Sequence, residues 1–141
     1  MKKTITLIII CFALQGCKIE DEKLIPGVWI INSMSYENKD VMPYLIVNVI
    51  TIRADKTCDL PIGDINYRHT DKEKGTWKIY KKKGISYFKI TSSNELFAGD
   101  YKIEKILKER DNKTGGNFVK MEITTSKIKL IAVKDFADKG L

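Results

Sequence analysis

Apolar and polar residues alternate over short stretches along most of this chain. Val119, Met121 and Ile123, for example, are separated by Lys120 and Glu122. A period of two is typical of a β-strand with one buried and one solvated face, and no convincing helical period follows residue 26. Eight stretches rich in Val, Ile, Tyr, Phe and Thr predict strands at 28–36, 44–53, 57–62, 76–81, 85–91, 99–108, 117–124 and 128–133.

The alternation also assigns faces within strands. Trp77 and Ile79 share one face of their strand, and Tyr101, Ile103 and Leu107 share one face of another. These residues are predicted to point into the protein, because the intervening positions are mostly lysines and glutamates.

The connections between the predicted strands are mostly short. Residues 54–56, 82–84 and 111–116 have the composition of hairpin turns, whereas 63–75 is a longer polar segment predicted as a surface loop. Short hairpins make consecutive strands antiparallel. An antiparallel meander with one apolar face protects its edges by closing into a barrel or by folding into a sandwich. The pattern therefore predicts an all-β fold of one of these kinds.

The N-terminal segment has a different pattern. Met1-Lys2-Lys3 precedes an apolar run over residues 5–14 that is too short to span a bilayer as a permanent helix, which predicts an export signal. The following Leu14-Gln15-Gly16-Cys17 resembles the lipobox of bacterial lipoproteins. This resemblance implies cleavage before Cys17 and diacylation of its thiol, so that Cys17 is the lipid-attachment residue. The alternative is an ordinary secreted protein.

These observations predict one small domain behind a lipid anchor. The expected organisation is a lipoprotein signal peptide at 1–16, an acylated tether at 17–25, a β domain at 26–135 and a C-terminal tail at 136–141. Loss of Lys2 and Lys3 with the signal lowers the formal charge from +7 to +5. A basic exported domain is compatible with anionic head groups, lipid phosphates or acidic glycans, but nucleic acid is not expected as a partner.

The tether is also informative about location. An acidic cluster at 20–22 follows Lys18, and this resembles a signal that sends lipoproteins of some Gram-negative bacteria to the outer face of the outer membrane. A charged, solvated linker is the alternative interpretation. We expect an outer-membrane lipoprotein, with the periplasmic or surface face undecided and the surface favoured.

Few residues offer catalytic chemistry. Cys58 would be the one thiol left in the domain, and His69 is the one histidine. The chain has no Cys-x-x-Cys, Gly-x-Ser-x-Gly, His-Glu-x-x-His or phosphate-binding glycine motif. We therefore expect no enzymatic activity, no metal and no cofactor. Five carboxylates are candidates for an acid/base or calcium cluster: Asp55, Asp59, Asp64, Asp71 and Glu73. Hairpin turns and a charged loop are the alternative explanation for them.

Three consecutive lysines, Lys81-Lys82-Lys83, form the densest positive patch. They are compatible with binding of phosphates or acidic sugars. A solvated hairpin tip that discourages edge pairing is the plainer explanation.

Gly27-Val28-Trp29 at the start of the first strand resembles the Gly-x-Trp signature of lipocalins. Gly75-Thr76-Trp77-Lys78-Ile79 and Phe97-Ala98-Gly99-Asp100-Tyr101 resemble the small lipocalin-like domains of bacterial lipoproteins. The resemblance covers residues 26–135. It implies a single eight-stranded up-and-down barrel whose base is closed by Trp29. The chain departs from typical lipocalins in having no arginine after Arg110 to stack across this tryptophan.

An eight-stranded barrel is wide enough either to fill with side chains or to hold one small ligand. Trp29, Trp77, Phe88 and Tyr101 are the candidate interior aromatics, and they are predicted to line the ligand site if the barrel is open. The leading hypothesis is then a non-catalytic lipoprotein that binds a small hydrophobic or amphipathic ligand. The alternative is a filled barrel that acts as an accessory, inhibitor or immunity subunit by binding a protein partner. A packed interior with an exposed apolar patch would favour the alternative.

Overall fold

The described part of the chain forms eleven strands, most of which pair with their sequence neighbours. The computed structural model describes residues 20–62, 64–65, 68–69 and 73–136. The predicted signal 1–16, Cys17 and the tail after Phe136 lie outside these ranges. The elements are α1 Glu20–Leu24, β1 Gly27–Tyr36, β2 Lys39–Asp40, a 3-10 turn Met42–Tyr44, β3 Val49–Ile52, β4 Thr57–Asp59, β5 Asp64–Ile65, β6 Arg68–His69, β7 Lys74–Lys82, β8 Ile85–Ser92, β9 Gly99–Arg110, β10 Asn117–Thr124 and β11 Ile128–Asp135.

Eight of these strands close into an antiparallel barrel in the order β1, β3, β4, β7, β8, β9, β10, β11. The barrel closes because β11 pairs with β1, where Ile30 lies opposite Val133 and Tyr36 opposite Ile128. This confirms the predicted all-β fold as an up-and-down eight-stranded barrel and excludes the sandwich. Closure gives every barrel strand a hydrogen-bonded neighbour on both sides. Within the described residues, no helix is long and apolar enough to cross a bilayer.

The eight predicted strands correspond to the eight barrel strands, but two of them are shorter than predicted. The strand predicted at 44–53 begins only at Val49, because Pro43 lies in a 3-10 turn and Ile46 donates its backbone N–H to the carbonyl of Ile62. The strand predicted at 57–62 ends at Asp59, after which Pro61 has no N–H for a ladder. The predicted loop 63–75 contains the short hairpin β5–β6 and the start of β7.

A bulge in β9 makes the prediction for Leu107 wrong. The register of β9 against β10 slips between Ile103 and Lys105, so that Glu104 has no partner in the ladder. An extra residue shifts the two-residue alternation by one position. Ile106 therefore packs against the core, while Leu107 lies on the outer face and is 42 % exposed.

The two ends of the barrel are built differently. At the N-terminal end, α1 leads into β1, and the β3–β4, β7–β8 and β9–β10 hairpins turn around. Residues 20–25, which fall within the predicted tether, form α1 and the buried Ile25. At the distal end, the segments after β1 and β8 fold over the core with Val41 and Phe97 buried.

Candidate functional site: the barrel interior and its two ends

The four predicted lining residues all lie in the barrel core. Trp29 and Tyr101 have no accessible surface, Phe88 is 1 % exposed and Trp77 is 3 % exposed. A side chain that lined a cavity large enough for water would keep accessible surface toward that cavity. The structure thus brings the four aromatics together in one packed cluster. Their role in lining a ligand site stays a prediction.

Trp29 is held at the N-terminal end by the chain that precedes it. Its indole Nε1 donates a 2.7 Å hydrogen bond to the carbonyl of Ile25, and both residues are fully buried. A buried indole N–H needs such a partner. The side chain of Ile25 and the ring of Trp29 together close this end.

Lys134 of β11 completes this closure. Its Nζ donates a 2.6 Å hydrogen bond to the carbonyl of Pro26 and lies 5.0 Å from the centroid of the Trp29 ring. Gly27 makes room for it. This residue has φ +147°, and a Cβ there would lie 2.9 Å from Cδ of Lys134. Glycine at position 27 is thus favoured both by its backbone conformation and by the lysine that crosses it.

Sequence reasoning missed Lys134, because it looked for an arginine in this role. The lysine occupies an inward position of β11, two residues after the buried Ala132, and a lysine on the dry face of a strand is the signal that identifies it. Partial burial lowers the pKa of Lys134, since desolvation disfavours its charged form. The hydrogen bond to Pro26 and the face of the indole offset that cost.

Trp77 occupies a second position at the same end. Its Nε1 donates a 2.8 Å hydrogen bond to the carbonyl of Arg53, and its ring lies 5.8 Å from that of Phe88. Lys56 places its Nζ 4.0 Å from the Trp77 ring centroid and forms an ion pair with Glu22 of α1. A shallow groove of about 340 Å³ lies here, lined by Glu22, Lys23, Pro26, Ala54, Lys56 and Trp77.

Tyr101 belongs to the distal end. Its hydroxyl donates a 3.0 Å hydrogen bond to the carbonyl of Phe97, and burial raises the pKa of the phenol. The turn that carries Phe97 is organised by the buried Asn94, whose side-chain oxygen accepts from the N–H of Leu96 at 3.2 Å and whose carbonyl accepts from Phe97. The polar atoms of Trp29, Trp77 and Tyr101 are therefore all bonded to backbone carbonyls of the same chain.

The candidate reactive groups do not assemble. Cys58 is a free, buried thiol, and burial raises its pKa to about 11. Asp59 pairs with Arg53, which lowers the pKa of the carboxyl, and Asp55 accepts from the N–H and hydroxyl of Thr57. Across the part of the chain that the structure describes, no three His, Cys, Asp or Glu residues approach closely enough to hold a metal ion. Asp71 and the side chains of Asp64 and His69 lie outside that part.

An apolar stripe on the outer wall was also missed. Ile30 of β1 lies directly opposite Val49 of β3 and Val133 of β11, so these three form one outward-facing row across the closure of the barrel. Val28 is 56 % exposed and Ile30 is 48 % exposed. We call Val28, Ile30, Val49 and Val133 the outer stripe. The unbroken apolar run at 28–31, which has no polar position for an outward face, is its signal in the sequence.

The site that emerges is therefore a cluster of buried aromatic residues, bonded to backbone carbonyls at the two ends of the barrel, with an apolar stripe on the outer wall. Its interpretation depends on these residues alone, because comparison of the chain with protein-family models, curated proteins and solved structures found no match.

Proposed function

We propose that this protein is a lipid-anchored, non-catalytic β-barrel with a filled interior that acts by binding a protein partner on its outer wall. The observation that carries the proposal is the burial of Trp29, Phe88 and Tyr101, which retain at most 1 % of their accessible surface. A barrel that holds a ligand needs space beside such side chains. Here their surroundings are other side chains of the same core.

The outer stripe supports a protein as the partner. Exposed apolar patches rimmed by polar residues are typical of interaction sites, and β-branched side chains on hydrogen-bonded strands form a rigid surface. The stripe crosses the β11–β1–β3 seam, whose backbone is fixed by the ladders on both sides of β1. On the β11 side it is bordered by the 3.3 Å ion pair of Lys120 and Glu122. A partner with a matching apolar surface and a polar rim fits this arrangement.

The small-ligand hypothesis rests on the resemblance to lipocalins. It requires space among the buried aromatic rings, and the hydrogen bonds of Trp29 to Ile25 and of Tyr101 to Phe97 hold two of these rings in place. Each is a buried bond whose unpaired groups would cost about 1–3 kcal/mol. The filled barrel requires no such change.

Site-specific photocrosslinking in the native host tests the partner. A photoreactive residue replaces Ile30 in the stripe, and the matched control carries it at Thr91, an exposed position on β8. We expect a discrete protein adduct from position 30 and none from position 91. Equal adduct patterns from the two positions would contradict the proposal, as would a small molecule that co-purifies with the protein in native mass spectrometry.

The lipid anchor is tested separately. Because acylation needs the Cys17 thiol, Cys17→Ser is expected to move the protein from the membrane fraction to a soluble one. A variant that stays in the membrane fraction would overturn the anchor without bearing on the stripe.

A further inference from the structure

The barrel presents a basic hairpin at the same end at which the chain enters it. Gly27 of β1 pairs with Ile52, which lies directly before the β3–β4 turn. In that turn, the backbone carbonyl of Lys56 accepts a hydrogen bond from the backbone N–H of Trp77. From Trp77, β7 continues outward to the β7–β8 turn. The N-terminal end therefore carries both the entry of the chain and the tip of this hairpin.

The β7–β8 hairpin extends beyond the β3–β4 hairpin beside it. The β4–β7 ladder ends where Thr57 meets Thr76, and the β8–β9 ladder ends where Tyr87 meets Lys102, but β7 and β8 stay paired as far as Lys82 and Ile85. The six residues after Thr76 span roughly 20 Å along the strand. On the β4 side the far part of β7 therefore has no ladder partner, whereas on the other side β9 continues past Lys102 to Arg110.

The tip of the hairpin is positively charged and structurally fixed. Lys81, Lys82 and Lys83 are exposed, and the ion pairs found among the described residues include none of them. Lys83 and Gly84 both have positive φ, at +51° and +80°, which is the conformation of a tight two-residue hairpin turn. Ile85 beside them is 40 % exposed. We call residues 81–85 the basic tip.

The acidic side chains described at this end are those of Glu22, Asp55, Glu109, Asp111 and Asp135, and none of them forms an ion pair with the basic tip. Glu22 is paired with Lys56, and the carboxylate of Asp111 accepts the backbone N–H of Lys113 and the hydroxyl of Thr114. Lys23 and Lys113 are themselves exposed and add positive charge.

We propose that the basic tip docks on the anionic head groups of the membrane that holds the anchor, and so fixes the orientation of the barrel. This rests on the proposed lipid anchor, because Cys17 lies three residues before α1, which is about 10 Å of extended chain. The N-terminal end then faces the bilayer. Each lysine near an anionic surface strengthens binding about fivefold, and the apolar side chain of Ile85 reaches the interface beside them. The docked barrel stands upright, with the outer stripe on its side and open to a partner.

The test uses vesicles and a chain that begins at residue 18, which lacks the acylated cysteine and contains α1 and every strand of the barrel. The probes are vesicles of phosphatidylcholine alone and of phosphatidylcholine mixed with phosphatidylglycerol. The tip variant combines Lys81→Gln, Lys82→Gln and Lys83→Gln. The control variant removes three exposed lysines near the distal end with Lys39→Gln, Lys74→Gln and Lys129→Gln, so that the net charge of the two is equal.

We expect the unaltered chain and the control to bind the mixed vesicles and not the neutral ones, and the tip variant to bind about 100-fold more weakly. Circular dichroism checks that all three are folded. Equal loss in the control and the tip variant would overturn the proposal, because binding would then follow net charge alone. Absence of binding to mixed vesicles, or tighter binding to heparin than to them, would overturn it as well. None of these outcomes depends on the Cys17→Ser result, so failure of the docking and failure of the anchor are distinguishable.

Discussion

Lys134 in the last strand lies across the indole of Trp29 in the first, with its Nζ 5.0 Å from the ring centroid and 2.6 Å from the carbonyl of Pro26. The contact joins residues more than one hundred positions apart at the seam where β11 meets β1. The resemblance to lipocalins leads us to expect an arginine in this position. A lysine can fill it, because its ammonium group donates to one carbonyl and lies over one aromatic face.

The first prediction concerns this lysine. Lys134→Ala is expected to lower the free energy of unfolding by about 1–3 kcal/mol, because it removes the hydrogen bond to Pro26 and the cation over Trp29. Lys134→Arg is the matched control and should lose less, since a guanidinium can reach both partners. Urea denaturation of the two variants measures the difference. If the arginine variant is as unstable as the alanine variant, the positive charge at position 134 does not contribute to the stability of the barrel.

The second prediction explains the glycine of the Gly-x-Trp signature. Gly27→Ala should destabilise the barrel by about 1–3 kcal/mol, because alanine is strained at φ +147° and its Cβ would meet Cδ of Lys134 at 2.9 Å. The double variant Gly27→Ala with Lys134→Ala separates the two causes. If the clash contributes, the double variant loses less free energy of unfolding than the two single variants lose together. Strict additivity would leave backbone strain as the whole reason for the glycine.

The third prediction tests the closure of the N-terminal end. Trp29→Ala should cost about 3–5 kcal/mol, as for other fully buried aromatic residues. Trp29→Phe keeps an aromatic ring and loses the hydrogen bond to Ile25, so it should cost less. Both values come from urea denaturation. A loss below about 1 kcal/mol for the alanine variant would mean that Trp29 is not part of the core.

The pattern of this sequence predicts most of the barrel because period-two alternation reports directly which face of a strand is wet. Val119, Met121 and Ile123 show this, since all three are buried as their pattern predicts. The pattern fails where alternation carries no information. Val28 and Ile30 are as apolar as their buried neighbours, so the alternation does not distinguish the outward face of β1 from its inward face.

The other misses depend on pairing that a linear pattern does not contain. The bulge at Glu104 exposes Leu107, and it exists only in the register between β9 and β10. Lys134 is visible as an inward lysine, but its partner Trp29 follows from the closure of the barrel. The sequence predicted that the four aromatic residues are buried. It did not predict the hydrogen bonds of Trp29 to Ile25 and of Tyr101 to Phe97, because these depend on the positions of the segments that precede β1 and β9.

The last prediction concerns the pH dependence of stability. Burial raises the pKa of Cys58 from its ordinary value near 9 to about 11, because the thiolate is poorly solvated inside the barrel. The folded state therefore holds a proton that the unfolded chain releases in this range. The contribution to stability is fully present below pH 9 and is lost as the pH rises toward 11, and a difference of about two pKa units corresponds to roughly 2–3 kcal/mol.

Cys58→Ala isolates this contribution, because every other titrating group is common to the two proteins. Urea denaturation with a reductant present, at steps between pH 8 and pH 11, gives the free energy of unfolding of each. At pH 8 the variant is expected to be the less stable of the two, since it loses a buried sulfur. Its deficit should shrink as the pH rises, because the original protein alone loses the thiol contribution. Parallel curves would mean that the thiol titrates alike in the folded and unfolded chains, and Cys58 would then not be shielded from water.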